Sequence, residues 1–258
     1  MNRVNAPDGT PLVYDAYEAT HPGVAVLFLH DWDPEPAKPG EPSAATGMQL
    51  RDAGYAAYFL DQRGHGRSGG RRGHLSRFSQ LLGDLQAFRR AVRPRHEVPQ
   101  VLVGHGFGGL VVLRYLETQP GEPPAAAVIS SPWLAWRRRP AAWKRVAARL
   151  ADLWPTLPTG TGSRYMTASA RAELQWAQHA VLADAQRIER PLLLLLAGED
   201  RVIDAAVARR FADDLAPRAQ LNWYAELPHE LLAVPRVMAD VTHFIATYRR
   251  SDRDPSRG

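Results

Sequence analysis

Short, wholly apolar runs alternate along this chain with segments of helical character, and that alternation constrains the fold more than any other feature. Val24–Leu29, Ala56–Leu60, Val101–Val103, Ala125–Ile129 and Leu192–Leu196 carry almost no polar side chain. Strands covered on both faces read this way, because neither side meets water. Leu12–Ala19, after an Asp8-Gly9 turn, reads as a strand before them, and Leu221–Ala225 as the last one. Between the strands lie helical stretches at about 44–53 (stopped by Gly54), Leu75–Val92, Leu110–Leu116 and Val234–Tyr248. Phe78, Leu81, Leu82, Leu85 and Phe88 share one face of the second. The expectation is an α/β protein with a mostly parallel central sheet flanked by helices.

One interval breaks the rhythm. From residue 133 to 190 no strand appears, only helical stretches at Ala141–Trp154 and Ala168–Ala185 around a Pro/Gly-rich link. A gap of that length between core strands reads as an inserted helical cap. The expected division is therefore a core of residues 1–132 and 191–250, a cap of 133–190 and a disordered tail of 251–258. Without cysteine, the chain can form no disulfide, thiolate metal site or cysteine nucleophile. No apolar run approaches the ~18 residues of a membrane span, and the N-terminal residues lack a secretory apolar region. The expectation is a cytoplasmic protein with no integral membrane segment. The net charge of +5 comes from arginine, Lys38 and Lys144 being the only lysines. Arg137-Arg138-Arg139 beside Trp133, Trp136 and Trp143 is read as a solvated face of a cap helix, and no nucleic-acid partner is expected.

Open parallel sheets bind ligands at the carboxyl ends of their strands, so the residues that end each run matter most. Gly104-His105-Gly106-Phe107-Gly108-Gly109 joins a strand to a helix. A nucleophile elbow needs small flanking residues so that its central side chain can stand above the sheet. Gly104, Gly108 and Gly109 meet that need, yet the central position is Gly106. Asp200 and His229 end later strands in the order acid then base. Paired, the carboxylate would fix the imidazole tautomer and raise its basicity. His65, His74 and His105 have no metal-motif spacing, so neither metal nor cofactor is expected. His65 and His74 are expected to bond backbone in their turns.

Asp61-Gln62-Arg63-Gly64-His65-Gly66-Arg67-Ser68-Gly69-Gly70-Arg71-Arg72-Gly73-His74 resembles the D-x-RGHGxSxGxRGH stretch of monoacylglycerol lipases and bacterial lysophospholipases, which have the α/β-hydrolase fold. Ser130-Ser131-Pro132-Trp133, Leu157-Pro158-Thr159-Gly160, the run Gly198 to Asp204, and His229-Glu230-Leu231-Leu232 extend the resemblance over nearly the whole chain. It implies a helical cap over an acyl-binding pocket, with Asp200 as acid and His229 as base. It also implies oxyanion donors at the Trp32 and Phe107 N–H groups, and substrate contacts from His30, Asp31, Ser131 and Trp133.

Two positions depart from the resemblance. The family's serine falls at Gly106, and the oxyanion loop, which begins His-Gly in the family, here reads His30-Asp31-Trp32. Asp31 is expected to disturb the first oxyanion donor, by bulk or by charge. Three readings stay open: an enzyme using an Asp200–His229 general-base dyad, a non-catalytic pseudoenzyme binding a small apolar or acyl ligand, and a serine hydrolase inactivated by substitution. Trp133, Trp136, Trp143, Leu150, Leu153, Trp154 and Trp176 suit an acyl pocket and suit cap packing equally. No oligomeric state is assigned.

Overall fold

A computed structural model describes residues 2–32, 42–118, 121–137, 166–215 and 217–249. Its strands are β1 (Asn2–Asn5), β2 (Pro11–Glu18), β3 (Ala25–Leu29), β4 (Ala56–Asp61), β5 (Gln100–His105), β6 (Ala126–Ser130), β7 (Leu192–Ala197) and β8 (Ala219–Tyr224). The helices are α1 (Pro42–Asp52), α2 (Phe78–Val92), α3 (Phe107–Thr118), α4 (Ala168–Asp184), α5 (Ala205–Leu215) and α6 (Pro235–Ala246). All the strands join one sheet in the order β1-β2-β4-β3-β5-β6-β7-β8. Only the β1–β2 and β2–β4 pairings are antiparallel; β4 through β8 run parallel.

The apolar runs form strands because both sides of the sheet are covered. Leu27, Leu102, Ile129 and Leu194 face a core built with α2, α3, α4 and α5. Val26, Val101, Val103, Leu193 and Leu195 face the other, where Leu50 of α1 and Val237, Val241 and Ile245 of α6 pack. Each of these strand residues is essentially inaccessible to water. Truncating any one of the leucines to alanine costs about 2–5 kcal/mol through lost burial and the cavity left behind. β1 is the strand that the sequence did not suggest. Its residues Asn2-Arg3-Val4-Asn5 are mostly polar, and it lies at the sheet edge, paired on one side only.

α4 matches the second helical stretch expected within 133–190. Thr167 caps it, its hydroxyl accepting from the Ala170 N–H at 3.3 Å. Ala170, Leu174, Ala177 and Val181 join the same core cluster as α3, so this helix is docked on the sheet layer. The stretch Ala141–Trp154, the Leu157–Gly160 motif, Arg138, Arg139 and the expected tail lie outside the described residues.

The arginine of the RGHG turn is buried and bonded on every side. Arg63 donates to Asp84 through Nε (2.9 Å) and Nη2 (2.7 Å), and to Asp8 through Nη1 (2.6 Å). This ties the turn after β4 to α2 and to the β1–β2 hairpin. His65 is thereby fixed under the site, its Nδ1 facing its own turn at the Arg63 carbonyl (2.8 Å). His74, by contrast, bonds side chains, Thr167 Oγ1 and Ser76 Oγ, and so links the turn to the start of α4.

Candidate active site

The strand-ends converge at the turn between β5 and α3. Gly106 takes φ +53°, the left-handed region, where a Cβ is disfavoured. Its N–H donates to the Ser130 carbonyl (2.9 Å), and its own carbonyl accepts from Trp133 N–H (3.1 Å), which locks the turn to the end of β6. Gly108 serves close approach. A Cβ there would lie 2.2 Å from the Leu29 carbonyl, so glycine lets α3 start directly against β3.

What fills the space above Gly106 is Asp31. In the parallel β3–β5 register Leu29 stands beside Gly104, and two residues further on each chain come Asp31 and Gly106. The Asp31 carboxylate leans across, so that a Cβ built on Gly106 would sit 2.1 Å from Asp31 Oδ1. Oδ1 accepts the Phe107 N–H at 2.6 Å, and Oδ2 faces His229 Nε2 at 3.3 Å. Asp31 was expected to disturb the Trp32 N–H; the bond its carboxylate accepts is from the Phe107 N–H, the other expected donor.

Asp200 and His229 do meet. His229 Nδ1 lies 2.7 Å from Asp200 Oδ2, while Asp200 Oδ1 accepts from Val202 N–H (2.8 Å) and Ile203 N–H (2.9 Å). The acid is thus immobilised by the backbone turn after β7. Both imidazole nitrogens face carboxylates, which only accept, so both donate. Burial disfavours the charged imidazole, but the bonds to Asp200 and Asp31 outweigh it and His229 is pushed up to about 10. Burial likewise opposes ionisation of Asp31 and of Asp200, yet the His229 bond holds both below the usual carboxylate range.

A second pair, not anticipated, abuts the first. His105 Nε2 lies 3.0 Å from Glu230 Oε2, and its Nδ1 lies 3.1 Å from the Ser130 hydroxyl, a neighbour fixed by the β5–β6 register. The His105 and His229 rings are 4.9 Å apart between centroids. Residue spacing gave no sign of this, because His105 and Glu230 are 125 positions apart. Adjacency in the chain to Gly106 and to His229 was the available signal.

The remaining expected residues serve mainly to hold this geometry. His30 is spent on backbone: its Nε2 accepts from Gln62 N–H (3.0 Å), and its Nδ1 lies 2.5 Å from the Asp31 carbonyl. Ser131 has φ +43° and is fully buried, its hydroxyl donating to the His229 carbonyl at 3.0 Å. Trp133 is buried against Phe107 and Trp136 and borders the site, whereas Trp176 is exposed, with the Arg114 guanidinium over its ring. Trp32 packs its ring edge-on against His65 and Phe107.

The comparisons with known proteins bear on the fold and the family. A profile of serine aminopeptidase S33 (Hydrolase_4) matches residues 43–172 and 160–235. The monoacylglycerol lipase of Mycolicibacterium smegmatis is 28% identical, over 93% of this chain and 94% of its own. Lysophospholipase L2 of Escherichia coli is 26% identical over 66% of this chain and 63% of its own. Among solved structures, the monoacylglycerol lipase of Paleococcus ferrophilus superposes with a TM-score of 0.75 at 21% identity, covering 92% of this chain and 97% of that one. A soluble variant of the Saccharomyces cerevisiae monoglyceride lipase reaches 0.77 at 16% identity, over 96% and 95%. The mostly parallel sheet with flanking helices is therefore the α/β-hydrolase fold, and the chain belongs to the serine aminopeptidase S33 (Hydrolase_4) family, with monoacylglycerol lipases and lysophospholipases among its relatives.

Proposed function

We propose that this chain hydrolyses carboxylic esters of the acylglycerol or lysophospholipid type by direct attack of water, without an acyl-enzyme. Gly106 takes the place of the family's serine and offers no atom that can attack a carbonyl. One observation carries the reading: the Asp31 carboxylate stands in the space of a residue-106 side chain, bonded to His229, whose other nitrogen meets Asp200. A proton acceptor and a proton donor thus lie side by side where the nucleophile would act.

The step follows from those positions. Asp31 takes a proton from water as the water oxygen adds to the ester carbonyl carbon. The bond to the alkoxy oxygen then breaks, and the departing alkoxide takes the His229 Nε2 proton. Acid and alcohol leave, and the proton on Asp31 returns to His229. Asp200 holds the ring throughout and stabilises its charge. Acid–base assistance of this kind contributes about 10²–10⁴-fold.

The same Asp31–Phe107 bond supports a second reading, a non-catalytic binder of an apolar or acyl ligand. It fills one of the two donors that an acyl oxyanion would use. Turnover of p-nitrophenyl butyrate and of a monoacylglycerol, measured beside Asp31→Ala and His229→Ala, separates the two. Hydrolysis above buffer that falls about 10²-fold or more in both variants supports the enzyme. Turnover that survives His229→Ala refutes the mechanism, and ligand binding without any turnover favours the binder.

A further inference from the structure

We propose that Asp31, His105, His229 and Glu230 form a binding site for one divalent first-row transition-metal ion. Each offers one donor atom, and the four lie within 4.8 Å of one another. The His105–Glu230 and His229–Asp31 approaches, 3.0 and 3.3 Å, already match the roughly 3.3 Å ligand-to-ligand edge set by ~2.0–2.1 Å bonds around a tetrahedral ion. Glu230, with its side chain 70% exposed, is free to close the remaining gap.

The outer contacts are those that a metal centre needs. Both histidines present Nε2 inward and have Nδ1 held from behind, His229 by the carboxylate of Asp200 and His105 by the hydroxyl of Ser130, and His229 would release its Nε2 proton to solvent as the ion binds. Partners of this kind fix the tautomer and aim the ligating nitrogen. Asp31 is anchored through Oδ1 by the Phe107 N–H, which leaves Oδ2 to ligate. Asp200 and Ser130 are buried and Asp31 is half-buried, so the frame is held behind both histidines. Two imidazoles select zinc and its neighbours over magnesium or calcium, which prefer all-oxygen shells. Two carboxylates balance the charge of a dication. Ion binding does not depend on the hydrolytic reading. With the ion bound, Asp31 and His229 would serve as its ligands, and the proton steps above would belong to the ion-free chain.

Titration calorimetry with zinc chloride on the chelator-stripped chain, with metal analysis after desalting, tests the site. The expected result is one zinc per chain, with affinity reduced at least 100-fold in His105→Ala. Glu230→Gln, an exposed change that spares the fold, should lose about 10-fold or more, and Ser130→Ala, acting only behind His105, about 10-fold. No saturable binding up to about 100 µM zinc, or identical isotherms for wild type, His105→Ala and Glu230→Gln, overturns the proposal. His105 and Glu230 take no part in the proton steps above. Ester hydrolysis by a wild-type chain that binds no zinc overturns this inference and leaves the hydrolytic reading standing. One zinc bound at the expected residues in a chain whose metal-free form shows no turnover supports it while the hydrolytic reading falls.

Discussion

Placing a serine at residue 106 is the sharpest test of where Asp31 stands. Gly106→Ser places a Cβ 2.1 Å from Asp31 Oδ1 and 2.3 Å from its Cγ, inside any real contact distance. The carboxylate must leave, giving up its bonds to Phe107 N–H and His229, each of the charge-assisted kind that contributes about 1.5–3 kcal/mol. The serine must also adopt φ near +53°, at a further cost of about 1–2 kcal/mol. Wild-type glycine bears neither cost. The single variant should lose roughly 4–8 kcal/mol and melt on the order of 10–20 °C lower. Its hydroxyl should gain little activity, because the displaced carboxylate remains beside the oxyanion donor.

Gly106→Ser with Asp31→Gly removes both obstacles. The clash disappears, Phe107 N–H is released, and the hydroxyl enters a space bounded by His229 Nε2. In a subtilisin series the serine accounted for about 10⁶ in kcat, or about 8 kcal/mol at 1.36 kcal/mol per tenfold. Recovering even half of that barrier reduction predicts a rise of about 10³ in kcat/KM over wild type on p-nitrophenyl butyrate. Steady-state kinetics and thermal melts of wild type, both single variants and the double variant complete the comparison. If Gly106→Ser alone gains 10³ with an unchanged melting temperature, Asp31 does not occupy the residue-106 space and the reasoning fails.

Other consequences follow from groups buried away from the site. Glu117 on α3 has no side-chain exposure and faces Arg114 of its own helix, with Asp184 and Arg187 beyond; burial, despite the Arg114 bond, pushes it up to about 7. A raised carboxylate stabilises the fold below its unfolded pKa and loses that contribution as pH rises through about 7, so urea midpoints should fall between about pH 4.5 and 7, level off above, and lose this slope in Glu117→Gln. His65 is lowered to about 3, chiefly by burial, and its Nε2 has no hydrogen-bond partner among the described residues. Its contribution should be full above pH 6.5 and decline as pH falls towards 3, a slope that His65→Phe should reduce in acid denaturation. Arg63→Ala leaves Asp84 buried and uncompensated and should cost about 3–5 kcal/mol by chemical denaturation, whereas an exposed pair such as Arg51–Asp52 should register less than ~1 kcal/mol when broken.

The parts of this molecule that were legible in the sequence are those governed by local chemistry. β7 is leucine after leucine because both faces are dry, and α2 shows its apolar face at helical spacing. β1 escaped because an edge strand gains from pairing on one side and needs no apolar run. Asp200 and His229 could be named because each ends a strand, and strand-ends in a parallel sheet point to one place. Asp31 was identified as an intruder, but its destination depends on strand order, in which β3 lies between β4 and β5. Once Leu29 is placed beside Gly104, the rest is geometric: two residues on, a short acidic side chain faces a position with none. A side chain at residue 106 and the carboxylate of Asp31 compete for one space, so either excludes the other. That coupling makes the double variant more informative than either single change. It also explains why a glycine at the turn goes with a site in which four ionisable side chains still converge.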